Sequence, residues 1–158
     1  IRGGNFEKTV NNINRYYEYA KRKIVIVSTV SIYNWMHLPE LIDYWKDIKG
    51  VARISMANIV TFPMYCSPLY LPVHQIEEGK KKFFDYLEEY EYVNKHDVYW
   101  SDKLTVSGIG NMRSIEPTTD PKVREMRERM LRWIDFCLIA RMNDEDIFEL
   151  APHLKEIL

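Results

Sequence analysis

The sequence is poor in cysteine, and it has no long apolar run. Two cysteines occur among its 158 residues, Cys66 and Cys137, and they form no paired motif. A disulfide framework is therefore not expected, and the default setting is the reducing cytoplasm. No segment reaches the roughly 20 consecutive apolar residues of a membrane span. The N-terminus, which opens with Ile1-Arg2-Gly3-Gly4, also lacks the apolar h-region of a signal peptide, and no membrane partner is expected.

An excess of positive charge is absent as well. The 22 basic and 23 acidic residues give a net charge of −1, so no field over the whole chain attracts nucleic acid. The basic and aromatic stretches at residues 15–19 and 80–82 are of the kind that binds RNA through charge and stacking. Acidic residues such as Glu77 and Glu88 accompany them, which is typical of solvated helix faces. No nucleic-acid partner is expected.

Metal and dinucleotide motifs are missing too. The four histidines form neither H-x-x-x-H nor H-E-x-x-H, so the sequence supports no zinc site. Gly108 and Gly110 begin like a dinucleotide-binding fingerprint, but Arg113 occupies the position of the third glycine. No clear strand precedes them, and we assign no such site.

What is present is an alternation of helical and strand-like patterns. Apolar residues at helical spacing predict helices from Phe6 to Ala20, with Asn5 as N-cap, around residues 38–48, with Gly50 ending the helix, and from Val73 onward. Residues 24–30 and 51–60 read as strands, rich in small and β-branched residues. This order of elements is typical of parallel α/β structure.

Two parallel strands cannot form a stable sheet alone. The apolar residues of the first strand run consecutively, which predicts that both of its faces are covered. Its edges also need partners. We therefore expect further strands upstream in the same protein or in a partner chain, and the first residue, Ile1, fits a chain entered partway through a longer protein.

The second part of the chain is less regular. Residues 95–117 receive no assignment. Residues 118–121 look like a helix start, with proline in the first turn, and the apolar stripe from Val123 to Cys137 continues that helix. A short final helix is predicted from Ile147, Leu150, Leu154 and Ile157. The predicted organisation is an α/β region over residues 1–94 and a mostly helical extension over residues 95–158.

Three stretches resemble radical S-adenosylmethionine (SAM) enzymes with SPASM or twitch-type extensions. Residues 2–13, RGGNFEKTVNNI, resemble the arginine, paired glycines and helix after the fourth barrel strand of that family. Residues 27–34 and 38–41, VSTVSIYN and LPEL, are similar to the fifth strand, its loop asparagine and the next helix. Residues 59–72, IVTFPMYCSPLYLP, resemble the sixth strand and its proline-rich loop. The resemblance implies the second half of a partial (β/α) TIM-type barrel followed by a helical extension.

The resemblance also implies roles for five residues. Arg2 would pair with the carboxylate of SAM, which suits a planar bidentate donor. Val30 would line the adenosine pocket, unless its side chain belongs to the core. Asn34 would hydrogen-bond SAM or fix its own loop. Val60 and Phe62, at the end of the next strand, would offer backbone groups to adenine.

The resemblance is incomplete in one decisive respect. The C-x-x-x-C-x-x-C motif that holds the 4Fe–4S cluster is absent, and two distant cysteines cannot replace it. The chain alone is expected to be inactive, with SAM and the cluster bound by a longer protein that acts on a peptide or small molecule. The alternative is a non-catalytic α/β binding or scaffold module without the cluster half.

Overall fold

A computed structural model describes residues 5–89, 104–118, 121–140, 148 and 151–157. Its helices are α1 (Phe6–Ala20), α2 (Leu38–Lys46), α3 (Val73–Glu89), α4 (Ile109–Arg113) and α5 (Val123–Ala140). Its strands are β1 (Ile24–Val30), β2 (Val51–Ile59) and β3 (Thr105–Ser107). Short 3₁₀ helices span Trp35–His37, Met64–Cys66, Pro68–Tyr70 and Pro152–Ile157.

The first helix begins and ends where its capping residues predict. The Asn5 side chain accepts a hydrogen bond from the Lys8 backbone N–H at 2.9 Å, which confirms the expected N-cap. At the other end, Lys21 adopts a left-handed conformation with φ 54°, and its N–H donates to the Tyr17 carbonyl. This turn directs the chain into β1.

Gly50 does not end the second helix, so that prediction is wrong. The helix ends at Lys46 with Asp47 as its C-cap, and Gly108 is the glycine with positive φ in the described residues. Gly50 is needed instead for close packing, because a Cβ there would lie 2.6 Å from Ile13 Cγ2 and 2.9 Å from the Ile13 carbonyl oxygen. The backbone before β2 therefore packs directly against α1.

The three strands form one parallel sheet in the order β1-β2-β3. Parallel strands require crossover connections, and here these carry the helices. The coarse prediction of a mixed α/β fold with parallel strands is confirmed. The third strand lies within residues 95–117, which received no assignment.

One face of the sheet lies in a continuous apolar core. Strand residues Ile54, Met56 and Val106 are buried in the same cluster as helix residues. The helix residues in this cluster include Ile13, Ile42, Trp45, Ile76, Phe83, Leu87, Met126, Met130 and Ile134. Burying one such side chain stabilises the fold by ~1.5–3 kcal/mol. The described helices therefore pack on this side of the sheet.

The tail follows the prediction in part. Helix α5 carries the apolar stripe expected from Val123 onward, with Met126, Met130 and Ile134 buried. The final helix, expected from residues 147–157, is a 3₁₀ helix over Pro152–Ile157 with Leu154 buried. Part of the predicted span, including Ile147 and Leu150, lies outside the described residues.

Candidate functional site

The second face of the sheet is exposed. Val25 and Val27 on β1 are 52% and 58% exposed, so no described helix covers them. The strand register places side chains in rows across this face. We call it the open face, and it comprises Val25, Val27, Thr29, Arg53, Ser55, Asn58, Thr105 and Ser107.

The open face is more polar than a hydrophobic core. Arg53 pairs in register with Val25 on one side and Thr105 on the other. The next row joins Val27, Ser55 and Ser107. In both rows the valine thus lies on β1, and the guanidinium and hydroxyl groups lie beside it on β2 and β3. Such a surface can bind a polar ligand or line a wet cavity.

A bulge in β2 modifies the carboxyl end of the open face. Between the pairs Val27–Ser55 and Thr29–Asn58, β2 contains one residue more than β1. Bulges bend a strand and re-aim its side chains, and they are frequent near binding sites. Here the bulge leaves both Ala57 and Asn58 exposed.

The carboxyl edge brings Val30 and Val60 together. The Val60 N–H donates to the Val30 carbonyl oxygen at 2.8 Å. The Val30 side chain has no exposed surface and belongs to the core. A ligand at this edge would therefore meet the backbone around Val30 and the partly exposed Val60, and not the Val30 side chain.

Asn34 fixes the loop that follows β1. Its Oδ1 accepts the Ser31 backbone N–H at 2.8 Å, and its Nδ2 donates to the Thr29 carbonyl oxygen at 3.0 Å. Both ends of the amide are thus occupied by the loop itself. This geometry matches the loop-fixing role that the sequence left open, and it places Asn34 beside the last open-face residue of β1.

Of the remaining two candidates, Phe62 and Arg2, the structure describes only Phe62. Phe62 follows β2 and is 89% exposed, so its ring is free to stack against a ligand. Arg2 lies outside the described residues. Four of the five candidates thus lie at or just beyond the carboxyl ends of β1 and β2.

Sequence reasoning missed a third contribution to this edge. Gly108 directly follows β3 with φ 77°, so the premise that no strand precedes this glycine is wrong. A Cβ at Gly108 would lie 2.8 Å from Ala57 Cα, and Asn111 Nδ2 donates to the Ala57 carbonyl oxygen at 2.7 Å. The sequence signal for β3 is the alternation of apolar and polar residues over 104–107, which is too short to distinguish a strand from a loop.

The proline-rich loop is anchored beneath the edge. Cys66 is 7% exposed, its Sγ lies 4.0 Å from the Tyr33 hydroxyl, and its carbonyl oxygen accepts the Ile32 N–H at 3.0 Å. Trp133 Nε1 donates to the same Tyr33 hydroxyl. Cys66 therefore packs as an interior residue that joins the loop to β1 and α5. Cys137 lies in α5, and its side chain is outside the described part.

The C-terminal 3₁₀ helix docks on the same loop after β1. His153 Nε2 lies 2.7 Å from the Ile32 carbonyl oxygen. Burial lowers the pKa of the His153 imidazole, the hydrogen bond to Ile32 opposes this, and the nearby His37 lowers the pKa further. The net lowering of this pKa disfavours the charged imidazolium in the docked position.

The chain's own donors do not fit a 4Fe–4S cluster. Within the described ranges, no group of three or more His, Cys, Asp or Glu side chains is placed to hold a metal ion. Cys66 packs against Tyr33. The described donors therefore offer no three-ligand set for such a cluster. No helix of the described part is both long and apolar enough to cross a membrane.

Comparisons with family models, with curated proteins and with solved structures found no match. The case for function therefore rests on the residues and their geometry.

Proposed function

We propose that this chain is the second half of the barrel of a radical SAM enzyme, with its helical extension. The open face is the observation that carries the proposal. In a TIM-type barrel the helices lie outside, the opposite strand faces line the interior, and ligands bind at the carboxyl ends of the strands. Helices on one face of a three-stranded parallel sheet, with the other face exposed, fit one sector of such a barrel.

The composition of the open face supports a cavity that binds a ligand. A closed TIM barrel fills its centre with layers of bulky branched side chains. In the proposed barrel, Arg53, Ser55 and Thr105 of the open face would occupy that position beside Val25 and Val27. The valines favour a covering element, and the polar groups favour a ligand or water. Both fit a partial barrel completed by upstream strands.

The proposed roles follow the resemblance residue by residue. Arg2 would pair with the carboxylate of SAM, while the backbone around Val30 and Val60 and the exposed ring of Phe62 would border the adenosine. Asn34 would hold the loop beside it. A 4Fe–4S cluster held by the upstream half would supply the one electron that cleaves SAM into methionine and a 5′-deoxyadenosyl fragment, which is the chemistry that would begin hydrogen removal from a substrate. This chain's part is to orient SAM and exclude water, and the substrate class is a peptide or small molecule.

The test uses the full-length protein encoded by the uninterrupted reading frame. After anaerobic reconstitution with iron and sulfide and reduction with dithionite, we expect SAM to be cleaved to 5′-deoxyadenosine. Arg2→Lys should raise the KM for SAM at least tenfold, because Lys loses the planar fork. Arg15→Lys, on the exposed side of α1, is the matched control and should leave KM unchanged.

A reconstituted protein without an iron–sulfur absorption band would overturn the proposal. The alternative, a non-catalytic α/β binding or scaffold module, would then be favoured by the self-contained core of the described elements. Equal KM values for Arg2→Lys and Arg15→Lys would remove the role of Arg2 alone.

A further inference from the structure

Two histidines far apart in sequence lie together on the side of the loop after β1. His37 ends the 3₁₀ helix Trp35–His37, and His153 belongs to the C-terminal 3₁₀ helix. Their ring centroids are 6.0 Å apart, and the planes are inclined by 54°. Two imidazoles that share one zinc at Zn–N distances of ~2.0–2.1 Å have centroids about 5 Å apart in tetrahedral geometry. The two rings would therefore have to approach each other by about 1 Å to share an ion.

Each ring has one nitrogen near an acceptor, at hydrogen-bond distance in His153 and at 4.0 Å in His37, and one nitrogen without a partner in the described part of the chain. The Ile32 carbonyl oxygen can only accept, so His153 Nε2 carries a proton, and in the uncharged ring the lone pair is on Nδ1. His153 Nδ1 is buried and has no hydrogen-bond partner among the described residues. His37 places Nδ1 4.0 Å from Glu40 Oε1, and its Nε2 is likewise buried without a partner in the described ranges.

A third acceptor without a partner lies beside them. Gln75 is 1% exposed, and its Nε2 donates to the His153 carbonyl oxygen at 2.9 Å. A second contact joins Gln75 Nε2 to Glu156 Oε2 at 3.3 Å. Gln75 Oε1 is buried and has no partner in the described part of the chain. Reversing the amide would set two oxygens against each other, so the orientation is fixed.

With the His37 proton on Nδ1, all three buried atoms without partners are acceptors, and a cation can satisfy such a set better than water. Burial of an acceptor without a partner costs ~1–3 kcal/mol. A water molecule donates only two hydrogen bonds. Histidines that bind metals usually donate the opposite ring N–H to a backbone carbonyl or a carboxylate. The Ile32 carbonyl oxygen has this role for His153, and Glu40 lies at ion-pair distance from His37 Nδ1.

We propose that His37 Nε2 and His153 Nδ1 bind one divalent transition-metal ion such as Zn²⁺, with Gln75 Oε1 as the adjacent oxygen donor. The ion joins the C-terminal 3₁₀ helix to the loop after β1. Water completes its coordination, because no third His, Cys or carboxylate of the described residues belongs to the group. The site is independent of the cluster and of SAM.

The experiment titrates ZnCl₂ into the untagged chain by calorimetry and follows melting with and without the metal. Co²⁺ serves as the spectroscopic probe. The variants are His37→Gln and His153→Gln. The matched control is His74→Gln, since His74 is 65% exposed and lies 3.5 Å from Glu156. Circular dichroism establishes that each variant is folded.

We expect one Zn²⁺ per chain, a melting temperature raised by several degrees, and visible Co²⁺ absorption in the wild type and in His74→Gln. His37→Gln should lose all three. His37 decides the test, because its Nε2 makes no protein hydrogen bond that the substitution would break. Binding that survives His37→Gln, or the absence of saturable binding to the wild type, would overturn the proposal and leave water as the partner of these nitrogens.

Discussion

At the scale of single residues, two glycines are required by close packing. A Cβ at Gly79 on α3 would overlap sterically with the Trp35 indole, since it would lie 2.6 Å from Cε2. The Nε1 of this indole donates to the Gln75 carbonyl oxygen at 2.9 Å. Gly50 is similarly close to Ile13. Neither position has a positive φ, so the missing side chain itself is what the fold needs.

Gly79→Ala should lower the free energy of unfolding by ~1–3 kcal/mol, because the added methyl group displaces the buried Trp35 ring. Gly110→Ala is the control, since nothing lies within 4 Å of a Cβ there. It should be neutral or stabilising by up to ~1 kcal/mol, the helix-propensity difference between glycine and alanine. Urea denaturation measures both. Equal effects of the two substitutions would contradict the packing described for Trp35.

A second prediction at this scale concerns the loss of stability at acidic pH through Asp43. The hydrogen bond from Lys46, and after it the one from Tyr86, lower the pKa of Asp43 below its ordinary value of 3.8. Tyr86 donates to Asp43 Oδ1 at 2.7 Å. Because the pKa is lower in the folded chain, the stabilisation is present above pH 3.8 and is lost as the pH falls through the native pKa.

Tyr86→Phe should therefore raise the pKa of Asp43 toward 3.8 and weaken the acid dependence of stability in that window. Carboxyl NMR titration measures the pKa. Tyr44→Phe, on the same helix as Asp43, is the control and should leave that pKa unchanged. A pKa of Asp43 that stays the same in Tyr86→Phe would show that Lys46 alone holds it.

At the scale of elements, the sequence predicted what local chemistry determines. The β-branched run Ile24–Val30 forms a strand with the expected bounds, and Asn5 caps α1 as expected. The prediction for Gly50 was wrong because its role depends on Ile13, which is distant in sequence. The third strand was not predicted because it has only three residues and pairs with β2, which is distant in sequence.

The same limit applied to the candidate site. Proximity of strand ends predicted that Val30, Val60 and Phe62 would share one edge. No local pattern could show that both ends of the Asn34 amide are used by its own loop. Nor could a sequence without paired histidine motifs bring His37 beside His153, because the chain closes that distance only by folding.

Arg127 hydrogen-bonds helix α5 to the proline-rich loop. Arg127 Nε donates to the Tyr70 carbonyl oxygen at 3.0 Å, and Arg127 Nη2 donates to the Leu71 carbonyl oxygen at 3.1 Å. These charged hydrogen bonds satisfy carbonyl groups that end the 3₁₀ helix Pro68–Tyr70. By contrast, Arg129 on the same helix pairs with the exposed Glu125.

Arg127→Gln should cost ~1.5–3 kcal/mol of unfolding free energy, as expected for hydrogen bonds from a charged group. Arg129→Gln removes a surface i,i+4 pair and should cost about 0.3–0.5 kcal/mol. Hydrogen exchange should show faster exchange of the Leu71 amide in Arg127→Gln only. Equal losses for the two variants would contradict this mode of attachment.

At the scale of the whole molecule, the open face is the feature that needs an explanation. Val25 and Val27 expose more than half of their surface on a strand whose apolar run predicts burial on both faces. The described part of the chain supplies no strand beyond β1 and no helix over these valines. Upstream barrel strands would supply the edge partner and enclose the face.

Produced alone, the chain should therefore self-associate through the open face, and sedimentation velocity should show its size rising with concentration. The double variant Val25→Lys/Val27→Lys should reduce this association. Val73→Lys is matched to it in residue type and, at 54%, in exposure, and should behave like the wild type. A wild-type chain that stays monomeric at every concentration would show that another part of the chain covers the face.

The most direct test of the central claim is to sequence the reading frame upstream of the codon for Ile1. The account predicts that the frame continues into a C-x-x-x-C-x-x-C motif and a strand ending in Ser-x-Asp-Gly. This result would supply the missing strands and the cluster ligands together. A start codon at or just before Ile1 would contradict the account, because the chain would then be complete without any means of holding the cluster.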